Sequence, residues 1–186
     1  MNLPNILTLA RLVMVPVLVV LWYTPFPGHR WACAALFLVA AITDFFDGWL
    51  ARRNNLETPF GAFLDPVADK VMVAVALGLL IEHWDKALMT LPAVVIICRE
   101  ILVSALREWM AEMGARGVVK VSWVGKLKTT AQMAAITWLL AFPSGSGPWA
   151  DLGLALLVLA ALLTLHSLLI YLRAAWPYLM GTQPKS

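Results

Sequence analysis

The chain has 186 residues, of which 61% are hydrophobic and only 13% are charged. A soluble domain carries about 25% charged residues, so this composition excludes an ordinary water-soluble fold. One membrane span needs roughly 20 apolar residues, which leaves room for about six spans and for no separate soluble domain. We therefore predict an all-α integral membrane protein in which residues 1–186 form a single membrane domain.

Apolar runs separated by helix-breaking residues predict six transmembrane helices. In chain order these spans cover residues 5–24, 31–51, 66–82, 87–108, 122–142 and 150–173. Cys33 and Cys98 both lie inside apolar runs, which predicts two free, buried cysteines and neither a disulfide nor a metal site. Five tryptophans lie at span ends and are predicted to form an interfacial aromatic belt: Trp22, Trp31, Trp84, Trp149 and Trp176.

The basic residues predict the orientation in the membrane. Arg30 and Lys86 are the only basic residues in the first and third loops, so 12 of the 14 Lys and Arg residues lie on the other side. By the positive-inside rule that side is cytoplasmic. Because the number of spans is even, both termini are then cytoplasmic as well.

Four aspartates gather at the predicted cytoplasmic ends of the second and third spans. Asp44 and Asp47 are three positions apart, and Asp65 and Asp69 are four apart, so each pair shares one helix face. Carboxylates brought together from two such faces repel strongly unless a cation lies among them, and oxygen ligands suit Mg²⁺ or Mn²⁺. The alternative is that all four are water-facing residues at helix ends, with Asp65 as an N-cap before Pro66. That alternative does not explain why all four are in register.

Small residues and an arginine lie between the aspartates. Gly48 and Gly61 have no side chain that would keep a ligand from the backbone, and Ala51 is nearly as small. Arg52 carries a planar guanidinium that matches phosphate oxygens. Together with a metal, these residues predict a site for a nucleotide diphosphate.

This segment resembles the signature of the CDP-alcohol phosphotransferase family, D-x2-D-G-x2-A-R-x8-G-x3-D-x3-D. All eight fixed residues of the pattern are present within 26 positions: Asp44, Asp47, Gly48, Ala51, Arg52, Gly61, Asp65 and Asp69. The segments "NLPNILTLARL", "CREILVSALREWMAE" and "VSWVGKLKTTAQM" resemble bacterial members of the family that use a glycerol phosphate acceptor. The resemblance covers roughly residues 2–140, and we interpret the sixth span as generic apolar sequence.

The resemblance implies transfer of a phosphatidyl group from CDP-diacylglycerol to sn-glycerol 3-phosphate, with release of CMP, at the cytoplasmic face of a bacterial inner membrane. It implies that Asp44, Asp47 and Asp65 hold two divalent ions, with Asp69 beside them as an additional ligand and as the general base. It assigns the cytidine diphosphate to Asp44, Gly48, Ala51, Arg52 and Gly61. It also implies a homodimer, and no nucleic-acid partner is expected.

Glycerol 3-phosphate is a dianion, so its site needs cations besides the metals. The candidates for binding its phosphate are Arg99, Arg107, Lys126, Lys128 and the hydroxyl of Thr129. Arg99 lies about 10 Å inside the fourth span, a depth at which a charged residue usually faces a partner. We assign its neighbour Glu100 to a structural contact elsewhere. Thr8 and Arg11 form a polar i, i+3 stripe on the first helix and are predicted to face the lipid headgroup.

Two alternatives remain open at this point. The signature residues specify the donor and not the acceptor. The acceptor could therefore instead be serine, inositol phosphate or phosphatidylglycerol. A different class of protein, a divalent-cation carrier, could use the same aspartates. Transporter sites usually lie near the membrane midplane, however, whereas these acids lie at one face.

Overall fold

The computed structural model describes residues 3–54, 59–115 and 123–180, and within these ranges every regular element is an α-helix. Within these ranges, the structure does not describe the side chains of residues 3, 4, 45–54, 59, 60, 62 and 123–128. The helices are α1 (Leu3–Tyr23), α2 (His29–Asn54), α3 (Pro59–Trp84), α4 (Ala87–Glu112), α5 (Trp123–Ala141) and α6 (Pro148–Leu179). Each predicted span corresponds to one of them, which confirms the all-α prediction.

The six helices close into a ring. α1 packs against α2 and α3, α3 against α4, α4 against α6, α6 against α5, and α5 against α2. α3 also contacts α5 and α2, so the interior of the ring is filled. Alanines with no exposed surface lie where helices meet, among them Ala76, Ala93 and Ala135. Such small residues let helix backbones approach closely, which drives helix association in a membrane.

The outer surface of the ring is apolar. Val13 is 63% exposed, Leu91 66% and Leu162 59%. Within the described ranges, three segments are long and apolar enough to cross a bilayer: Asn5–Tyr23, Ala87–Glu112 and Pro148–Leu179. Exposed aliphatic side chains on long apolar helices indicate a membrane protein.

Local backbone chemistry sets the end of α4. Gly114 has φ +73°, a left-handed conformation that glycine adopts without a steric penalty. The N–H of the next residue, Ala115, donates to the carbonyl of Met110 at 2.9 Å. This left-handed cap satisfies a carbonyl that would otherwise have no partner at the helix end.

The start of α3 differs from the sequence prediction. The helix begins at Pro59, so Asp65 lies more than one turn inside it, and Pro66 is an interior helical residue. The N-cap alternative for Asp65 is therefore wrong. The apolar run starts only at Pro66, but a membrane helix tolerates an interior proline because neighbouring groups satisfy the freed carbonyl.

The aromatic belt is only partly as predicted. Trp31, Trp149 and Trp176 are 59%, 55% and 58% exposed, as interfacial residues would be. Trp22 and Trp84 are instead buried, each only 6% exposed. The Arg30 guanidinium lies 3.7 Å above the Trp22 ring, so this tryptophan contributes a cation–π contact inside the bundle.

Candidate active site

Two buried side chains of α1 hold carboxylates from the neighbouring helices. Thr8 is fully buried and Arg11 is 1% exposed. The Arg11 Nη1 donates to Asp44 Oδ1 on α2 at 2.6 Å, and the Thr8 hydroxyl donates to Asp65 Oδ1 on α3. The sequence predicted that both residues face the lipid headgroup and did not predict these two hydrogen bonds. A guanidinium inside an apolar bundle is stable only beside a compensating charge, and Asp44 supplies it.

Three of the four predicted aspartates come together at the same end of the bundle. Asp44 lies within electrostatic range of both Asp65 and Asp69. Gly61, which is buried, lies one turn before Asp65 on α3. Carboxylate oxygens are the type of donor that suits a hard divalent cation such as Mg²⁺ or Mn²⁺. The described side chains by themselves do not complete a group of three His, Cys, Asp or Glu arranged as a metal site.

The rest of the signature continues along α2. Asp47, Gly48, Ala51 and Arg52 lie on helical backbone, three, four, seven and eight positions after Asp44. These offsets place all of them on the stripe of the helix that Asp44 begins. Their side chains are outside the described part of the protein, as are those of Lys126 and Lys128 on α5.

A polar cavity of about 260 Å³ lies beside the aspartates, between α3, α4, α5 and α6. Asp69 lines this cavity and also borders, with Arg11, a much smaller gap on the other side. Asp69 therefore lies at the junction between the aspartate cluster and the cavity. The other charged or polar side chains of the cavity wall are Lys70, Arg99, Glu100, Ser104, Arg107, Thr129, Gln132 and Tyr171.

Arg99 is fixed in the cavity wall by two hydrogen bonds. Its side chain is only 7% exposed, its Nη1 donates to Glu100 Oε1 at 2.8 Å, and its Nη2 donates to Ser167 Oγ on α6 at 3.1 Å. Glu100, which the sequence assigned to a contact elsewhere, thus pairs with Arg99 itself. An arginine this deep needs a nearby carboxylate, and the adjacent residue provides one.

Tyr171 on α6 connects the two predicted arginines. The Arg107 Nη2 donates to the Tyr171 hydroxyl at 3.2 Å. The guanidinium carbons of Arg99 and Arg107 lie 5.6 and 5.3 Å from the centre of the Tyr171 ring. Tyr171 is itself 4% exposed, so it provides a rigid buried support for both cations.

Sequence reasoning missed five side chains of this region: Lys70, Ser104, Gln132, Ser167 and Tyr171. Interpreting the sixth span as generic apolar sequence overlooked the last two, which lie four positions apart on one face of α6. That spacing was a visible signal, but its meaning depends on the packing of α6 against α4. Lys70 directly follows Asp69 and could have been found as a second charge at the same span end.

An apolar groove of about 680 Å³ runs along the bundle between α2 and α5. One end is closed by an aromatic cluster in which the Phe142 ring lies 5.1 Å from Trp31 and 5.0 Å from Trp138. Met133 lines both this groove and the polar cavity. One methionine side chain thus lies between an apolar space and a charged one.

A sequence profile described as CDP-alcohol phosphatidyltransferase matches residues 1–166. The chain belongs to this family. Members of the family generally depend on a divalent metal. The oxygen-rich cluster around Asp44 and Asp65 fits that requirement.

Curated relatives cover nearly the whole chain. A Salmonella choleraesuis (strain SC-B67) protein is 56% identical over 175 residues, which is 94% of each chain. Proteins from Shigella flexneri serotype 5b (strain 8401) and Escherichia coli (strain K12) are 55% identical over the same length and share. All three are named CDP-diacylglycerol–glycerol-3-phosphate 3-phosphatidyltransferase.

Proposed function

We propose that this family member transfers phosphatidyl from CDP-diacylglycerol to sn-glycerol 3-phosphate, producing phosphatidylglycerophosphate and CMP in anionic phospholipid biosynthesis. The observation that carries the proposal is 55–56% identity over 94% of the chain to relatives named for this reaction. The small cationic cavity beside Asp69 supports the same acceptor, because it joins positive charge to a carboxylate that can take a proton.

Asp69 acts as the general base. It accepts the proton of the acceptor's primary hydroxyl, which is a poor nucleophile because its pKa lies far above 7. Such assistance typically contributes about 10²- to 10⁴-fold in rate. The oxygen forms a bond to the phosphorus that bears diacylglycerol, the bond from that phosphorus to the CMP oxygen breaks, and CMP leaves with the electron pair.

The signature residues hold the donor headgroup. Asp44, Asp47 and Asp65 would bind two Mg²⁺ or Mn²⁺ ions, with Asp69 alongside. When bound, such ions polarise the diphosphate oxygens and offset the charge that develops on departing CMP. Gly48, Ala51, Arg52 and Gly61, with Asp44, receive the cytidine diphosphate. Arg11 and Thr8 orient Asp44 and Asp65 through the hydrogen bonds from α1.

The phosphate of the acceptor lies against the basic wall of the cavity. Arg99 and Arg107, supported by Tyr171, supply charge-assisted donors, and Lys70 adds a third positive charge. Thr129 extends this wall from α5. Lys126 and Lys128 lie on helical backbone three and one positions before Thr129, and the sequence assigns them to the same phosphate. Electrostatic stabilisation and positioning of this kind provide most of the catalysis in phosphoryl transfer.

The groove between α2 and α5 suits an acyl chain of the donor lipid. It is apolar, it is open to the outer surface of the bundle, and its lining on α2 ends at Leu38, six residues before Asp44. At 1.5 Å per helical residue this separation is about 9 Å, the scale of a lipid headgroup. The lipid can therefore remain in the bilayer while its diphosphate reaches the aspartates.

We further propose that all six helices span a bacterial inner membrane as a single domain, with both termini and the aspartates at the cytoplasmic face. The distribution of Lys and Arg supports this orientation. It also places the site where the water-soluble acceptor arrives. We also propose a homodimer, because the family resemblance implies one.

An acceptor competition tests the function. Purified protein in lipid nanodiscs receives CDP-diacylglycerol, Mg²⁺ and labelled glycerol 3-phosphate, with an excess of serine, inositol phosphate or phosphatidylglycerol. We expect labelled lipid to form in every mixture, and we expect none of the competitors to lower its yield. Preferential use of another acceptor, or divalent-cation flux without CMP release, would refute the assignment.

A further inference from the structure

Gln132 is a buried amide whose oxygen has no hydrogen-bond partner. Its side chain lines the polar cavity from α5, and the residue is only 3% exposed. Within the described part of the chain, its Oε1 is one of the few buried side-chain oxygens that accept no hydrogen bond. Buried polar groups are nearly always paired, so an unpaired amide oxygen in a cavity wall points to a ligand group.

The position of Gln132 on α5 is consistent with a ligand contact. Thr129, Gln132 and Met133 all line the cavity and are spaced i, i+3, i+4, which makes them one face of the helix. The other walls already have roles in the proposed function. Asp69 on α3 takes the proton of the attacking hydroxyl, and the arginines of α4 receive the phosphate. Gln132 is the remaining neutral hydrogen-bonding group that is fully buried.

We infer that Gln132 binds the secondary hydroxyl of a three-carbon polyol phosphate and thereby selects the acceptor. This inference rests on the proposed function, because the C2 hydroxyl belongs to the same substrate as the phosphate and the attacking primary hydroxyl. The carboxamide accepts the hydrogen bond of the C2 hydroxyl through Oε1. An acceptor that lacks this hydroxyl leaves the buried amide unpaired and is rejected.

The test compares two acceptors that differ by one oxygen. Glycerol 3-phosphate and 3-hydroxypropyl phosphate both carry a primary hydroxyl and a phosphate, but only the first has the C2 hydroxyl. With the wild-type protein we expect kcat/KM to be about 10- to 100-fold higher for glycerol 3-phosphate. In Gln132→Met, which keeps the side-chain length but loses the amide, this ratio should fall to nearly 1, with the KM for CDP-diacylglycerol unchanged.

Thr164→Val is the matched control. Thr164 is also fully buried with an unpaired hydroxyl among the described residues, but it lies on α6 outside the cavity lining. Removing the Thr164 hydroxyl should leave the ratio of kcat/KM between the two acceptors at the wild-type value. Gln132→Leu provides a second variant in case Gln132→Met does not fold.

The outcomes separate this inference from the proposed function. If the wild-type protein makes no lipid from glycerol 3-phosphate, the proposed function fails. If it makes that lipid but uses both acceptors equally well, or if both Gln132 variants keep the wild-type ratio, the role of Gln132 is overturned and the function stands.

Discussion

Two arginines of this protein are buried among apolar helices, where an uncompensated charge is energetically costly. Arg11 and Arg99 are both almost fully buried, and each donates to a carboxylate, Asp44 and Glu100 respectively. Replacing one partner of such a pair leaves an uncompensated buried charge, which destabilises a protein strongly. In both cases the compensation is local, because a specific acid lies within hydrogen-bond distance of the buried arginine.

Asp69→Asn tests the general base. Asparagine has nearly the same shape but cannot accept the proton, so we expect kcat to fall about 100- to 10,000-fold. Binding of CDP-diacylglycerol, measured by calorimetry in nanodiscs, should be nearly unchanged.

Asp85→Asn is the control for that variant. Asp85 lies beyond the far end of α3, roughly 24 Å from Asp69 at 1.5 Å per residue, and its φ of +45° is a conformation that asparagine also adopts. The Asp85→Asn variant should have the wild-type kcat. Near-normal turnover by Asp69→Asn would remove Asp69 from the base role.

Tyr171→Phe tests the support of the arginines by α6. The change removes the hydroxyl that accepts from Arg107 but keeps the ring that lies beside both guanidinium groups. One hydrogen bond is worth about 1 kcal/mol, so the KM for glycerol 3-phosphate should rise roughly fivefold while the KM for the donor stays constant.

Tyr23→Phe controls for loss of a tyrosine hydroxyl at the opposite end of the bundle, where Tyr23 donates to Glu82. Neither KM should change in this variant. Equal effects of Tyr171→Phe on both substrates would indicate a general structural role for Tyr171 and contradict the positioning role.

At the scale of helices, the sequence was most informative where apolar runs and breakers agree. α1, α4 and α5 match their predicted spans within a few residues because the breakers coincide with the helix ends. The start of α3 was missed because the apolar run begins only at Pro66, whereas the helix begins at Pro59. The contribution of Ser167 and Tyr171 could not be predicted, since it depends on which helix packs against α6.

The sequence also predicted only part of the candidate site. The aspartates were found because each pair has a spacing that fixes one helix face, Asp44 with Asp47 and Asp65 with Asp69. In the structure Asp44 lies within electrostatic range of both Asp65 and Asp69. The hydrogen bonds of Thr8 and Arg11 join residues 57 and 33 positions apart in the chain. Periodicity within one helix cannot reveal such contacts, so the sequence did not predict the hydrogen bonds of these two residues to the aspartates.

Gly153→Ala tests the close packing of α6 against α5. A Cβ at Gly153 would lie 2.8 Å from Leu139 Cδ2 and 2.8 Å from Trp138 Cδ1, well inside van der Waals contact. Overpacking of this kind typically costs about 1–3 kcal/mol, so the melting temperature in detergent should fall.

Gly78→Ala is the matched control within the interior of α3, because a Cβ there meets no atom within 4 Å. It should be neutral or slightly stabilising, since alanine favours helix more than glycine does. Equal melting temperatures for the two variants would contradict the close approach of α5 and α6.

At the scale of the whole molecule, the ring of six helices separates two chemistries. The aspartates and the polar cavity lie towards one end of the bundle, and the aromatic contacts of Trp31, Phe142 and Trp149 lie towards the other. The apolar outer surface lies between them. In the proposed function, this polarity lets a membrane-bound donor and a water-soluble acceptor meet at one site.

The orientation is testable with single cysteines. In a Cys33→Ala, Cys98→Ala background, Lys86→Cys should react with a membrane-impermeant maleimide added outside spheroplasts. Ala115→Cys, at the other end of α4, should react only after the membrane is permeabilised. The reverse pattern would contradict the cytoplasmic location of the aspartates.

The most direct test of the central claim is the stoichiometry of transfer by the purified protein. With CDP-diacylglycerol, labelled glycerol 3-phosphate and Mg²⁺, we predict equal molar amounts of CMP and labelled lipid, both falling to background when a chelator removes divalent ions. Release of CMP without glycerol 3-phosphate, or transfer that continues in the chelator, would contradict a metal-dependent attack of the acceptor on the donor.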